Sequence, residues 1–159
     1  MSPKAATRAP GTLEPLSKSR SLETPARGPA TLAAVSRILV VDDDPDVAEF
    51  VELVLHAGGH EVETVHGGRE AFERLARGAY DLIVCDLHMP DVDGRGIYEA
   101  IRRGPAPRPP VLFVSGYSES DEYESFLLEN SLPVLAKPFT LDALRESVQR
   151  LLGPGRAVD

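Results

Sequence analysis

The chain has no tryptophan, a single cysteine and few aromatics, 6% of its 159 residues. A lone cysteine excludes an internal disulfide, as suits a reducing compartment. Cys85 sits inside an apolar run and reads as a buried, inert thiol rather than a reactive one. With aromatics scarce, the core must be aliphatic, and a 42% hydrophobic content suffices for one domain. No apolar stretch approaches the ~20 residues of a membrane span, and the N-terminus lacks a secretion-type hydrophobic segment. A cytoplasmic protein without membrane contact is expected. Basic charge is also short, the net charge being −8. It is unevenly divided: residues 1–37 carry six Lys/Arg and two Asp/Glu, the rest eleven and 23. The acidic part is a poor partner for nucleic acid, so no direct DNA binding is expected. The basic part reads as a solvated tail.

Texture divides the chain in three. Residues 1–36 are rich in Pro, Ala, Ser and Thr, and prolines at 3, 10, 15, 25 and 29 forbid a long helix. This segment is expected to be a disordered arm, 37–153 a folded domain and 154–159 a short tail. Within the domain, short aliphatic runs alternate with helical patterns. Expected strands are Ile38–Val41, Glu61–Val65, Leu82–Cys85, Val111–Val114 and Val134–Ala136. The first expected helix opens at Pro45, turns Val47, Phe50, Val51, Val54 and Leu55 inward, and stops at Gly58-Gly59. Others run over Gly68–Arg77 with Ala71, Phe72 and Leu75 inward, and near Arg95–Arg103. Two more cover Glu119–Glu129, burying Tyr123, Phe126 and Leu127, and Leu141–Leu152, burying Leu141, Leu144, Val148 and Leu151. Five βα units imply an α/β fold: a parallel sheet with right-handed crossovers and helices on both faces.

Ligands of such open sheets bind beyond the carboxyl ends of the strands. Strand one ends in Asp42, Asp43 and Asp44, strand three in Asp86, strand four in Ser115 and strand five in Lys137-Pro138. Strand two, ending in His66-Gly67, offers nothing comparable. Carboxylates crowded at one edge repel one another, and a hard divalent cation relieves the conflict. Mg²⁺ suits a few carboxylates plus a phosphate. A carboxylate is also a competent nucleophile toward phosphorus. A metal, a lysine and a hydroxyl together stabilise the charge that phosphoryl transfer develops. Asp86, after a central strand, is therefore read as the nucleophile. Asp43 is read as a direct metal ligand, Asp42 as one that binds directly or through water, with Asp86 itself and the His88 backbone carbonyl completing the set. Lys137 pairs with Asp86 at rest and with phosphoryl oxygens afterwards, and Ser115 donates its hydroxyl. Asp44 and Asp46 read as first-turn acids that favour the helix dipole. Asp91 and Asp93 read as solvated loop residues, and His60 and His66 have no metal-ligand partner at useful spacing. Met89-Pro90 and Gly94 are expected to shape the loop after Asp86.

Four runs, ILVVDDDPDV at 38–47, DLIVCDLHMPDVDG at 81–94, VLFVSGYS at 111–118 and LAKPF at 135–139, resemble the motifs of response-regulator receiver domains. Their order and spacing match too: 43 residues from Asp43 to Asp86, 29 to Ser115 and 22 to Lys137. The resemblance covers residues 38–152. It implies a flavodoxin-like, doubly wound sheet in the order 2-1-3-4-5. It also implies phosphorylation by a histidine kinase or histidine phosphotransfer protein, Mg²⁺ dependence, self-catalysed dephosphorylation and a cis Lys137-Pro138 bond. Many such domains carry Tyr or Phe three residues before the lysine; here that position is Val134, so the usual hydroxyl–aromatic coupling is in question. His88 and Tyr117 are candidates to shield the acyl phosphate from water.

Val134, LPVLAKPF and VSGY look most like receivers attached to hybrid sensor kinases. With no kinase segment and no DNA-binding helix pair, a stand-alone receiver or a fragment is expected, signalling to a downstream protein or phosphorelay partner rather than working as an enzyme. Two alternatives are a phosphorylation-independent adaptor on this fold and a haloacid-dehalogenase-like phosphatase, whose Asp-x-Asp nucleophile follows strand one.

Overall fold

The computed structural model describes residues 35–116 and 121–153, with the backbone alone at 121 and 122. The expected arm, but for its last two residues, and the expected tail at 154–159 lie outside the described residues. Among the described residues, five strands alternate with five helices: β1 (Arg37–Val41), α1 (Pro45–Ala57), β2 (Glu61–Val65), α2 (Gly68–Arg77), β3 (Leu82–Asp86), α3 (Gly94–Arg103), β4 (Val111–Ser115), α4 (Asp121–Glu129), β5 (Val134–Ala136) and α5 (Leu141–Leu152). All strand pairs are parallel, in the order β2-β1-β3-β4-β5. The fold is therefore flavodoxin-like.

The central strands are apolar apart from Arg37, Asp86 and Ser115 at their ends, because both faces of the sheet are covered. Side chains alternate along each strand, so Ile38, Val40, Leu82, Val84, Leu112 and Val114 share a cluster with Val51, Val54, Leu144 and Val148. On the opposite face Leu39, Val41, Ile83, Cys85 and Phe113 pack with Ala71, Ile97, Ile101 and Phe126. Helices α1 and α5 thus cover one face, and α2, α3 and α4 the other. Cys85 is fully buried, and burial pushes its thiol well above the usual range, as the inert reading requires.

Local signals set the boundaries. Asp44 is the N-cap of α1, its carboxylate accepting from the Asp46 N–H at 3.0 Å ahead of Pro45 at the first position. Gly59, at φ 94°, turns the chain after α1. Thr140 caps α5 through the Ala143 N–H at 3.0 Å. Lys137-Pro138 is cis, as is Ala106-Pro107.

Three expected core positions are corrected. Phe50, Phe72 and Leu141 are 37%, 36% and 40% exposed. Each lies at the margin of an apolar stripe wider than the contact its helix makes with the sheet. Phe50 leans instead on Phe139, with ring centroids 5.9 Å apart. Residues 119 and 120, expected to open the fourth helix, lie outside the described residues. Of the inward residues named there, Phe126 is buried, while Tyr123 and Leu127 are partly so.

Candidate functional site

Parallel strands that end together bring remote residues to one rim. β1 and β3 pair in register through Val41 and Cys85, so Asp42 and Asp86 emerge side by side. β3 and β4 pair through Asp86 and Val114, which puts Ser115 one residue farther along the same edge. The Lys137 N–H donates to the Ser115 carbonyl at 2.7 Å and carries the β4–β5 pairing up to the lysine. The ammonium Nζ of Lys137 then lies 3.4 Å from Asp42 Oδ2 and 3.5 Å from Asp86 Oδ1. Lys137 was expected to pair with Asp86; it bridges both acids.

Asp42, Asp43 and Asp86 each present a carboxylate oxygen, and these oxygens lie within 4.8 Å of one another. Asp42 and Asp86 are 3% and 5% exposed, whereas Asp43 faces solvent. Asp42 Oδ1 accepts from the Asp44 N–H at 2.9 Å, which fixes its orientation. Ser115 is buried, and its hydroxyl donates to the Gly116 carbonyl at 2.9 Å. His88, two residues beyond Asp86, donates its backbone N–H to Asp86 Oδ1 at 3.4 Å.

The electrostatics are those of crowded anions in a partly desolvated cleft. Burial, then the Asp42 charge, pushes the Asp86 carboxyl up to about 7 against the opposing pull of Lys137. Burial likewise raises Asp42, although the Asp44 N–H and Lys137 resist. Burial disfavours the Lys137 ammonium, but the two carboxylates outweigh it and hold its pKa above normal. One ammonium does not neutralise three carboxylates. The donors are all hard oxygens, two of them partly withdrawn from water, and this set fits a hard divalent cation.

Several residues do work that reading the sequence did not assign to them. Asp91, expected to be a solvated loop residue, accepts from Gly68 N–H at 3.1 Å and Arg69 N–H at 3.0 Å. It thus caps α2, whose own N-cap position is the side-chain-free Gly67. These backbone donors, Arg69 first, hold the Asp91 carboxyl down at about 2. Asp93, also expected to be solvated, caps α3 through the Gly96 N–H at 3.0 Å and accepts the Tyr123 hydroxyl at 2.6 Å. Its place just before a helix-opening glycine was a readable cap signal; the bonds from Asp91 to α2, 22 and 23 residues away, left none. His66 Nδ1 lies 3.2 Å from the Asp42 carbonyl, so the end of strand two does touch the site. Gly94 is required by close approach: a Cβ there would meet the Asp86 carbonyl oxygen at 2.8 Å and the Phe113 ring at 2.8 Å. Tyr117 lies outside the described residues.

Residues 38–149 match the response regulator receiver domain. The chain is 32% identical over 116 residues to the transcriptional regulatory protein TrcR of Mycobacterium tuberculosis, covering 73% of this chain and 45% of TrcR. It is 32% identical over 130 residues to the sensor protein GacS of Pseudomonas syringae, covering 79% of this chain and 14% of GacS. Among solved structures, the receiver domain of a signal transduction histidine kinase from Syntrophus aciditrophicus superposes with a TM-score of 0.69 at 30% identity. That alignment covers 79% of this chain and 96% of that one. The chain therefore belongs to the response regulator receiver domain family of two-component signalling. Its relatives include both response regulators and a sensor protein, and it spans less than half the length of the curated relatives it matches.

Proposed function

We propose that Asp86 accepts a phosphoryl group from a phosphohistidine of a histidine kinase or histidine phosphotransfer protein. The observation that carries this reading is the convergence of Asp42 and Asp86, remote in sequence, within 3.5 Å of the Lys137 ammonium. An Asp86 carboxylate oxygen forms the new P–O bond while the P–N bond to the donor histidine breaks, and the departing imidazole takes up a proton. Lys137 holds Asp86 in place beforehand and neutralises phosphoryl oxygens during transfer. Ser115, one residue past the register partner of Asp86, donates its hydroxyl to the transferred group. Asp43 and Asp86, with Asp42 directly or through water, and the His88 backbone carbonyl would hold Mg²⁺, which when bound screens the carboxylates and the incoming phosphoryl charge. Water later attacks the acyl phosphate and returns Asp86, so the domain turns over its own modification without acting on a separate substrate.

The surface beside Lys137 suits a protein donor. Phe50, Pro138 and Phe139 with Val47 line an apolar recess of about 460 Å³ that opens onto Gly116 and Lys137. Output follows from the added charge, about −1.5 to −2 at neutral pH, which biases a pre-existing conformational equilibrium read by a downstream protein or phosphorelay partner. An acidic domain surface argues against direct DNA contact. The buried, unpaired Cys85 is compatible with a cytoplasmic setting, and among the described residues no helix is long and apolar enough to cross a membrane. The domain is assigned to 37–153, between an arm at 1–36 and a tail at 154–159.

The test is incubation of the protein with acetyl phosphate and Mg²⁺, followed by intact-mass measurement. A stoichiometric gain of one phosphoryl group, absent in Asp86→Asn and without Mg²⁺, is expected. Sustained release of phosphate without an adduct would instead support a phosphatase. No adduct and no turnover would leave an adaptor that acts without phosphorylation.

A further inference from the structure

The ring that commonly links site to surface in this family is replaced by Val134, which is 46% exposed. Another tyrosine occupies a comparable bridging place from a different element. Tyr123, on the first turn of α4, donates its hydroxyl to Asp93 Oδ2 at 2.6 Å. Its ring also meets the His88 imidazole edge-on, with centroids 4.8 Å apart and an interplanar angle of 77°. Both contacts fall on the loop that joins Asp86 to α3. His88 lies at the start of that loop, two residues from the nucleophile, with its N–H on the Asp86 carboxylate. Asp93 lies at its end, where the same carboxylate caps α3 through Gly96. One side chain thus spans the loop from the phosphoacceptor side to the helix side.

Helix α4 is the element best placed to respond. Among its residues with described side chains, Phe126 alone is buried, against Phe113 of β4 and Tyr98 of α3. Tyr123 stands one turn before Phe126 on the same face, and Leu128 on the other side is 72% exposed. A helix held by so little buried surface has low local stability, so a single hydrogen bond and ring contact weigh heavily in its position.

We propose that Tyr123 is a positioning residue that fastens the loop after Asp86 to helix α4, so that phosphorylation at Asp86 is transmitted to α4 through His88 and Asp93. This rests on Asp86 being the phosphoacceptor. A phosphoryl group there draws on the loop through the His88 backbone; the loop shifts the ring and carboxylate that Tyr123 grips; the helix follows.

The experiment compares the full chain as wild type, Tyr123→Phe, which keeps the ring and loses the hydroxyl, and Tyr123→Leu, which loses both. Each is incubated with Mg²⁺ with and without acetyl phosphate, and the adduct is quantified by mass. Amide hydrogen exchange is then read across α4, with β1 and α5 as internal references. In wild type, phosphorylation is expected to change α4 exchange several-fold while the references hold. Tyr123→Phe should form the adduct yet lose at least half of that response, and Tyr123→Leu should lose nearly all of it. An unchanged α4 response in Tyr123→Phe and Tyr123→Leu, or no α4 response in phosphorylated wild type, overturns the proposal and leaves the phosphoacceptor reading intact. Should Tyr123→Leu not fold, Tyr123→Phe decides alone. No adduct on wild type overturns both.

Discussion

At the scale of single residues, the site is under electrostatic tension that one residue can release. Asp86 is nearly inaccessible, its carboxyl is pushed up to about 7, and burial is the leading cause. Its folded pKa therefore exceeds the unfolded value near 4, so in metal-free protein the folded state holds more protons across about pH 4 to 7. Stability contributed by the protonated form is present at low pH and is lost as pH rises through that window. Asp86→Asn removes the ionisation while keeping the shape. Without metal at pH 8 it should raise unfolding stability by roughly 1–2 kcal/mol, with little change at pH 4. Urea denaturation midpoints across pH check this, and equal stability of the two proteins at pH 8 would contradict it.

Among elements, the loops do more than connect. Asp91 supplies to α2 a cap from another part of the chain, since Gly67 offers no side chain. Asp91→Ala should cost about 1 kcal/mol, measured by thermal unfolding, and loosen amide protection at Gly68 and Arg69 rather than in α1. Asp91→Asn should retain most of the stability. This same arrangement marks where reading from sequence stops. Strands announced themselves as apolar runs, because a sheet covered on both faces admits little else, and Asp42, Asp86, Ser115 and Lys137 followed from the strand ends. A cap bonded across 22 residues leaves no local periodicity, so Asp91 passed for a solvated acid. Phe50, Phe72 and Leu141 fit the helical period yet sit at its margin, since period alone does not tell how wide a stripe the sheet covers. Tyr123 was expected to face inward, but its grip on Asp93 and His88 depends on how α3 and α4 lie side by side, which no spacing encodes.

For the whole molecule, cation binding and folding should be one equilibrium. A metal that binds only where Asp42, Asp43 and Asp86 converge stabilises the fold by mass action, about 2.7 kcal/mol at a hundredfold excess over Kd. Mg²⁺ should thus raise Tm by several degrees at pH 7.5 and much less at pH 4.5, where Asp86, its carboxyl pushed up to about 7, is protonated, and Asp43→Asn should blunt the rise. Differential scanning fluorimetry across Mg²⁺ concentrations tests this. The length of the strands carries a last consequence. β1 to β4 have five residues each, about 17 Å at the rise of a parallel strand. Around the protein surface, ionic screening at physiological salt weakens a charge about e-fold over each ~8 Å, so two such lengths separate the two poles. The amino-terminal ends, where Arg37 meets Glu61 and lies over the Tyr80 ring, are therefore electrically deaf to whatever arrives at Asp86. Any protein that reads this domain by its charge has to approach from the opposite pole.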